Sequence, residues 1–420
     1  MEIEKLINIT GLSTEEIGKL CVEFSDSRNV DLEVPLSVIM NVSPDDGLKL
    51  VDASIGISKI SVNERGKSVG TYLKYLNGIT IEIDPRIRNS KRLLTSAIRD
   101  GLVMYPYNDQ YGPPVDSLID NRHNVTVEVI DNPPQTSDGY LGKHLVLVHN
   151  DDDYHNIDII TDYFTSYARV KCHVRNKQPP IIAWRDMANR VADKAVDYAI
   201  DRSIYVGPEA LEVGIYLSGI KMCTKFKVSL AMAIYDFFKA SVVYDSSSGW
   251  GDRAIAAALS DTVIKYVGTD PNIDLVSGYQ HIVDYFGEKR PEKSIDFYDY
   301  PAEDLNLDAV FEDGLPDLVF SSPPFFDYEI YSDLETQSVA RHDTASDWLN
   351  GWLIPVTMQS WNILPVGGRL VYYLGNCGTK SVQKLISEMS NVIDALYEGK
   401  IQIATGRGLG LYIYVWQKIA

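Results

Sequence analysis

The 420-residue chain predicts an α/β fold, with a Rossmann-like, doubly wound domain in its C-terminal half and an α+β region before it. Three stretches carry that prediction. Val242-Val243-Tyr244-Asp245 is an apolar strand that runs through Ser246-Ser247-Ser248-Gly249-Trp250-Gly251 into a helix from Ala254 to Leu259. A second strand, Val263 to Val267, leads into Gly268-Thr269-Asp270-Pro271-Asn272. Further on, Leu318-Val319-Phe320 is stopped by Ser321-Ser322-Pro323-Pro324-Phe325-Phe326. Short apolar strands alternating with helical stretches indicate a parallel sheet, and open sheets of that kind take their ligands at the carboxyl ends of the strands.

The elements follow in order. Residues 1–150 read as an N-terminal α+β domain for recognition or partner binding. Ile79-Thr80-Ile81-Glu82-Ile83 alternates apolar and polar, and Asn77-Gly78 makes it one arm of a hairpin with Thr71 to Leu76. Asn124 to Ile130 and Leu145 to His149 are further strands. Loops fall at Gly112-Pro113-Pro114, Asn132-Pro133-Pro134 and Asp151-Asp152-Asp153. Residues 151–240 form a mainly helical connecting region, with helices at Ile157 to Tyr167, Trp184 to Ile200, from Pro208 onward, and at Val228 to Ala240. Residues 241–420 form the main α/β domain. In it, Thr344 to Leu364 is a long helix that Pro355 kinks or breaks, and Trp348 and Trp352 share its core face. Arg369 to Leu374 is a strand. Lys400 to Ala404 and Leu409 to Trp416 are two strands joined by a glycine-rich turn.

The turn after the first strand needs Gly249 and Gly251 because backbone must approach a ligand closely there. An acid at the tip of the second strand, Asp270, stands where doubly wound folds hold ribose hydroxyls. The diproline ends its strand, since neither proline can donate to the ladder, and Pro323 keeps Ser322 out of the helical region. A stiff corner results at the strand's carboxyl end. It carries a hydroxyl, free carbonyls and an aromatic ring.

Ser322-Pro323-Pro324-Phe325 resembles the Ser/Asp/Asn-Pro-Pro-aromatic motif of amino-methyltransferases. From about Pro208 to Ala420 the chain is similar to class I S-adenosylmethionine-dependent methyltransferases. The spelling Asp-x-Ser-x-Gly-Trp-Gly-Asp-Arg, Gly-x-Asp-Pro-Asn and Ser-Pro-Pro-Phe-Phe-Asp-x-Glu looks like methyltransferase-like proteins of large DNA viruses and phages. The resemblance implies a seven-stranded catalytic domain ending in an antiparallel hairpin, with S-adenosylmethionine as cofactor. It implies cofactor contacts from Asp245, Ser247, Gly249, Gly251 and Asp270, and from Glu303 or Asp304 after a third strand at Ser294 to Phe297. Asp245 would organise the turn or reach the cofactor's amino acid end. Asp252 would cap its helix or join the cofactor site. Lys225-Phe226-Lys227 matches a segment that lines the cofactor pocket, although its third residue is not the family's proline.

The diproline corner then holds the acceptor. An exocyclic amino group on a base is a poor nucleophile because its lone pair is delocalised. The Ser322 hydroxyl and the Pro323 carbonyl would accept its hydrogens and localise that pair, and Phe325 would stack on the flipped base. Adenine N6 or cytosine N4 in DNA is the expected target, and serine at position 322 leaves the base open. The alternatives are an RNA base, a protein amide, or a catalytically silent scaffold that binds a partner.

A net charge of −19 argues against a broad duplex-binding surface. Pro301 to Asn350 holds twelve acids and one basic residue, Arg341, which suits a protein partner docking on an acidic surface or a substrate other than duplex DNA. Lys59 to Arg99 holds nine basic residues against three acids, and Arg169 to Lys194 holds seven against two. These runs either form a local phosphate-binding face or are neutralised by acids nearby in space. Cys21, Cys172, Cys223 and Cys377 lack metal-ligand spacing and read as free thiols; no metal site is expected. No apolar run reaches membrane-spanning length, and the N-terminus lacks signal-peptide features. A cytoplasmic location, or a host intracellular one for a viral protein, is expected.

Overall fold

The computed structural model describes residues 155–204, 206–375, 379–405 and 408–420, together with Asp31–Val34, Ser58–Ser61, Pro85, Ser90–Arg99, 105–106, Val125–Ile130 and Lys143–His149. The strands, in chain order, are β1 (Asp31–Val34), β2 (Ser58–Ser61), β3 (Val125–Ile130), β4 (Lys143–His149), β5 (His173–Val174), β6 (Val242–Asp245), β7 (Lys265–Thr269), β8 (Ser294–Tyr298), β9 (Leu318–Ser321), β10 (Glu329–Ile330), β11 (Arg369–Tyr373), β12 (Ala395–Thr405) and β13 (Gly408–Lys418). The chain forms two units: residues 1–106 with 178–221, and residues 107–177 with 222–420.

The first unit holds the antiparallel pair β1 and β2 and the helices Ser90–Arg99, Pro180–Asp186, Ala188–Arg202 and Pro208–Leu217. The last two pack closely. A Cβ at Gly214 would lie 2.7 Å from the Val191 carbonyl and 2.9 Å from the Ala195 Cβ, so glycine is what permits the approach.

The second unit is built on a sheet of nine described strands in the order β3-β4-β12-β13-β11-β9-β6-β7-β8. The pairs β11/β9, β9/β6, β6/β7 and β7/β8 are parallel, and β13 runs antiparallel to both neighbours. The seven strands from β12 to β8 therefore form the Rossmann-like sheet with a terminal hairpin expected from the sequence. Both faces of this sheet are covered. Val243, Leu318, Phe320 and Val371 enter one core with the helices Val228–Phe238, Asp252–Leu259 and Val276–Lys289. Tyr244, Val319, Leu370 and Tyr372 enter the other with Trp348, Trp352 and Trp361. Successive residues of one strand thus feed opposite cores, which explains why β6 and β9 are apolar up to the polar residue that ends each.

Local details depart from the sequence expectations. β3 and β4 extend the C-terminal sheet, β4 running parallel to β12. Ile157 to Tyr167 becomes two helices, His155–Asp158 and Asp162–Arg169. Trp184 to Ile200 is split at Met187 into Pro180–Asp186 and Ala188–Arg202. Apolar spacing passes unbroken over such one-turn interruptions. The second strand begins at Lys265, not Val263. The preceding residues make a turn in which the Ile264 amide bonds the Ser241 carbonyl at 2.8 Å. Thr344 to Leu364 is helical in three pieces, Ala345–Trp348, a π-turn at Leu349–Leu353, and Ile354–Asn362. The π-turn sits just ahead of Pro355, where a proline disturbs the hydrogen-bond ladder. Trp348 and Trp352 stack 5.8 Å apart and are buried, as expected of a core face. The Thr71–Ile83 hairpin, the loops at 112–114, 132–134 and 151–153, and Cys21 and Cys377 lie outside the described residues. Among the described residues no helix is long and apolar enough to cross a membrane.

Candidate active site

The site gathers at the carboxyl ends of β6, β7 and β9. Asp245 ends β6 and is fully buried. Its Oδ2 accepts from Arg253 Nε and from the Tyr266 hydroxyl, each at 2.7 Å, and its Oδ1 accepts from the Ser247 amide at 3.1 Å. Arg253 also donates to the Ser247 carbonyl and lies over the Phe226 ring. Burial opposes the charge on Arg253, but Asp245 outweighs it and keeps its pKa above the usual guanidinium range. Asp245 thus ties Arg253, Tyr266 and the Ser247 amide of the turn together.

The turn itself needs both glycines. Gly249 has φ +55° and Gly251 φ +89°, and a Cβ on Gly251 would meet Ile282 Cδ1 at 2.7 Å. The Gly249 amide donates to Asp270 Oδ2 at 2.9 Å, and the Asn272 amide donates to Asp270 Oδ1 at 3.0 Å. Tyr279 supports the turn by donating to the Gly249 carbonyl while stacking on Phe297 at 4.0 Å. Trp250 is a packing residue, buried with its indole N–H on the Thr224 carbonyl at 2.7 Å.

Asp252 opens its helix, but its carboxylate turns to a distant partner, accepting from Thr161 Oγ1 at 2.7 Å. Burial pushes the carboxyls of Asp252 and Asp270 up to about 6, against the donors that favour their charged forms. Each therefore holds its proton more tightly in the folded chain than in the unfolded one. The stability it contributes is complete below pH 4 and is lost as pH rises through about 6. Asp252→Asn, which keeps an acceptor for Thr161, is expected to be more stable than the parent by about 1–2 kcal/mol at pH 8. The gap should close toward pH 4 when urea midpoints are compared across that range.

A cavity of about 310 Å³ opens over this turn, within the range of small-molecule sites. Ser247, Gly249, Asp270, Glu303, Ser322, Pro324 and Phe325 line it. Asp245, Gly251 and Pro323 are not among the lining residues. Glu303 and Asp304 separate: both bind Arg341, at 2.8 and 3.0 Å, but only Glu303 lines the cavity, with its Oε2 on the Trp352 indole N–H at 2.7 Å. Phe325 is buried against Tyr373, ring centroids 6.0 Å apart, and Phe326 after it takes a left-handed φ of +56° that turns the corner sharply.

Other residues of the wall were not singled out from the sequence. Glu329 on β10 is buried. It accepts from the Thr224 amide at 2.8 Å, the Thr224 hydroxyl at 3.0 Å and the Tyr331 hydroxyl at 2.8 Å, and burial raises its pKa. It thereby clamps the Thr224–Lys227 segment onto the cavity. Its one sequence signal was its place in the run Ser-Pro-Pro-Phe-Phe-Asp-x-Glu. The basic run beginning at Arg169 is partly neutralised in space: Arg169 pairs with Asp162, and Lys171 with Asp274 at 3.2 Å. Cys172 and Cys223 are free and buried. Among the described residues no group of His, Cys, Asp or Glu is placed to hold a metal.

No protein-family profile and no curated protein matches the chain. Solved structures with similarity include TrmN from Thermus thermophilus, at 15% identity, 46% of this chain, 49% of that chain and a TM-score of 0.32. An rRNA methylase from Streptococcus thermophilus matches at 13% identity, 47% of this chain, 99% of that chain and a TM-score of 0.32. A methyltransferase from Pyrococcus furiosus matches at 12% identity, 46% of this chain, 84% of that chain and a TM-score of 0.33. The match spans about half the length of TrmN.

Proposed function

We propose that the chain is an S-adenosylmethionine-dependent N-methyltransferase acting on the exocyclic amino group of a nucleic-acid base, adenine N6 or cytosine N4, with DNA as the expected polymer. The observation that supports this most is one cavity lined by the glycine turn, by Asp270 and by the diproline corner. The donor set suits the cofactor. Asp252, Asp270 and Glu329 line the cavity and take their hydrogen bonds from hydroxyls and backbone amides, which leaves carboxylate oxygens for a cationic ligand beside the Lys225 and Arg253 that share the wall. Asp270 has lone pairs left for ribose hydroxyls.

When bound, S-adenosylmethionine supplies an electrophilic methyl group on a positively charged sulfur. The remaining work falls to the chain. Gly249 lets the backbone approach closely, and Asp270 positions a sugar. Ser322 accepts a hydrogen from the amino group and so helps free its lone pair, and Phe325 offers a ring face to the base. The acidic stretch from Pro301 to Asn350 keeps a long duplex footprint away and leaves a face for a protein partner.

Cofactor binding is the first test. S-adenosylmethionine at a hundredfold excess over its Kd is expected to add about 2.7 kcal/mol of stability, raising the Tm by a few degrees. Asp270→Ala is expected to weaken binding at least tenfold in calorimetric titrations. Absence of a shift at millimolar cofactor, or unchanged affinity in the variant, would overturn the reading.

A further inference from the structure

We infer that Arg175 and Lys177 hold the phosphates beside the target base and so fix the substrate strand outside the cavity; this rests on the nucleic-acid reading above. Topology brings the two cations to the acceptor corner. β5 pairs antiparallel with β10, Val174 opposite Glu329 and His173 opposite Ile330. β10 follows directly on the diproline corner, where the Tyr328 amide bonds the Phe325 carbonyl at 3.2 Å. Glu329 and Tyr331 line the cavity, whereas Arg175 and Lys177 are exposed and are not among its lining residues. That division suits a flipped nucleotide, whose base enters a pocket while its sugar-phosphate backbone stays outside.

The basic run that begins at Arg169 divides in space. Arg169 pairs with Asp162, and Lys171 with Asp274 at 3.2 Å. Arg175 and Lys177 have no ion-pair partner among the described residues. Cations left open on a chain of net charge −19 call for an anionic partner. Asp327 precedes Tyr328 and is exposed, which confines the contact to the one or two phosphates that these cations reach.

Arg175 is held ready for such a contact. Its guanidinium lies over the Tyr328 ring, 4.9 Å from the centroid, and its amide bonds the Tyr328 carbonyl at 2.9 Å. Its φ of +49° is left-handed, which is uncommon for arginine. His173 Nδ1 donates to the Arg175 carbonyl at 2.6 Å, and the Lys177 amide closes the turn on the Val174 carbonyl at 3.0 Å. Stacking uses the face of the guanidinium and leaves its N–H edge for a bidentate grip on phosphate.

The test is anisotropy of a fluorescent single-stranded oligonucleotide titrated with the chain over a salt series, with methylation rates and cofactor titrations on the same proteins. Arg175→Asn suits the left-handed backbone, and Lys177→Gln removes charge with little change of shape. Each is expected to weaken oligonucleotide binding about tenfold at low salt. Each should also flatten the slope of log affinity against log salt by about 0.7, and the double variant by about 1.4. The kcat at saturating oligonucleotide and the affinity for cofactor should stay within twofold. Arg175→Lys should keep the slope and lose part of the affinity with the bidentate grip. Lys289→Gln is the control. That lysine also stacks on a tyrosine, Tyr285 at 5.0 Å, but it ends a helix that returns to the amino ends of the strands, so its loss should change nothing. An unchanged slope in the double variant, an equal loss in Lys289→Gln, or a parallel fall in cofactor affinity would overturn the inference and leave the methyltransferase reading standing. A parent chain that binds cofactor but neither binds nor methylates any oligonucleotide would remove the nucleic-acid reading and the inference with it.

Discussion

Asp245→Ala is expected to cost about 3–5 kcal/mol of folding stability, the largest loss from any single change at the site. The reason lies in what the carboxylate leaves behind. Arg253 is buried, with Asp245 as its ion-pair partner at 2.7 Å, and the Tyr266 hydroxyl and the Ser247 amide turn to the same carboxylate. Removing it strands a cation and two donors in a space closed to water. Domains are stable by only about 5–15 kcal/mol, so the variant should be partly unfolded at physiological temperature. Urea unfolding followed by circular dichroism measures the loss. The double variant Asp245→Asn, Arg253→Gln removes both charges and should recover most of it. A single variant within 1 kcal/mol of the parent would show that the pair does not organise the turn.

Ser322→Ala and Phe325→Leu are expected to lower kcat by about a hundredfold or more while cofactor affinity stays within twofold. Ser322 lines the cavity at the stiff corner, where small displacements are costly to catalysis. Phe325→Leu is the more useful change at its position because an alanine there would also open a hole against Tyr373. Leucine keeps apolar bulk and removes the stacking face. Calorimetry and single-turnover rates on the same preparations separate chemistry from binding. A normal rate in either variant would take the acceptor role away from the diproline corner.

The parts of the site legible in the sequence are those whose chemistry is local. A glycine turn between strand and helix, an acid at a strand's end and two prolines that stop a strand all act within a few residues of themselves. The central strands were legible for the same reason, since burial on both faces leaves an unbroken apolar run. What depends on partners far along the chain was not. Nothing in the sequence near Glu329 says that it holds Thr224, 105 residues earlier. Trp352 gives no sign of gripping Glu303, which is what brings Glu303, and not Asp304, to the cavity. The sequence of β3 and β4 marks them as strands but not which sheet edge they join.

The central claim is that this cavity moves a methyl group onto the amino nitrogen of a base. Incubation with S-adenosylmethionine labelled in its methyl group, in parallel with DNA, RNA and protein, followed by digestion and mass spectrometry of the nucleosides, tests it most directly. The expected result is label in N6-methyladenine or N4-methylcytosine from DNA, absent in Ser322→Ala. Label confined to protein, or no transfer to any polymer by a chain that binds the cofactor, would contradict it.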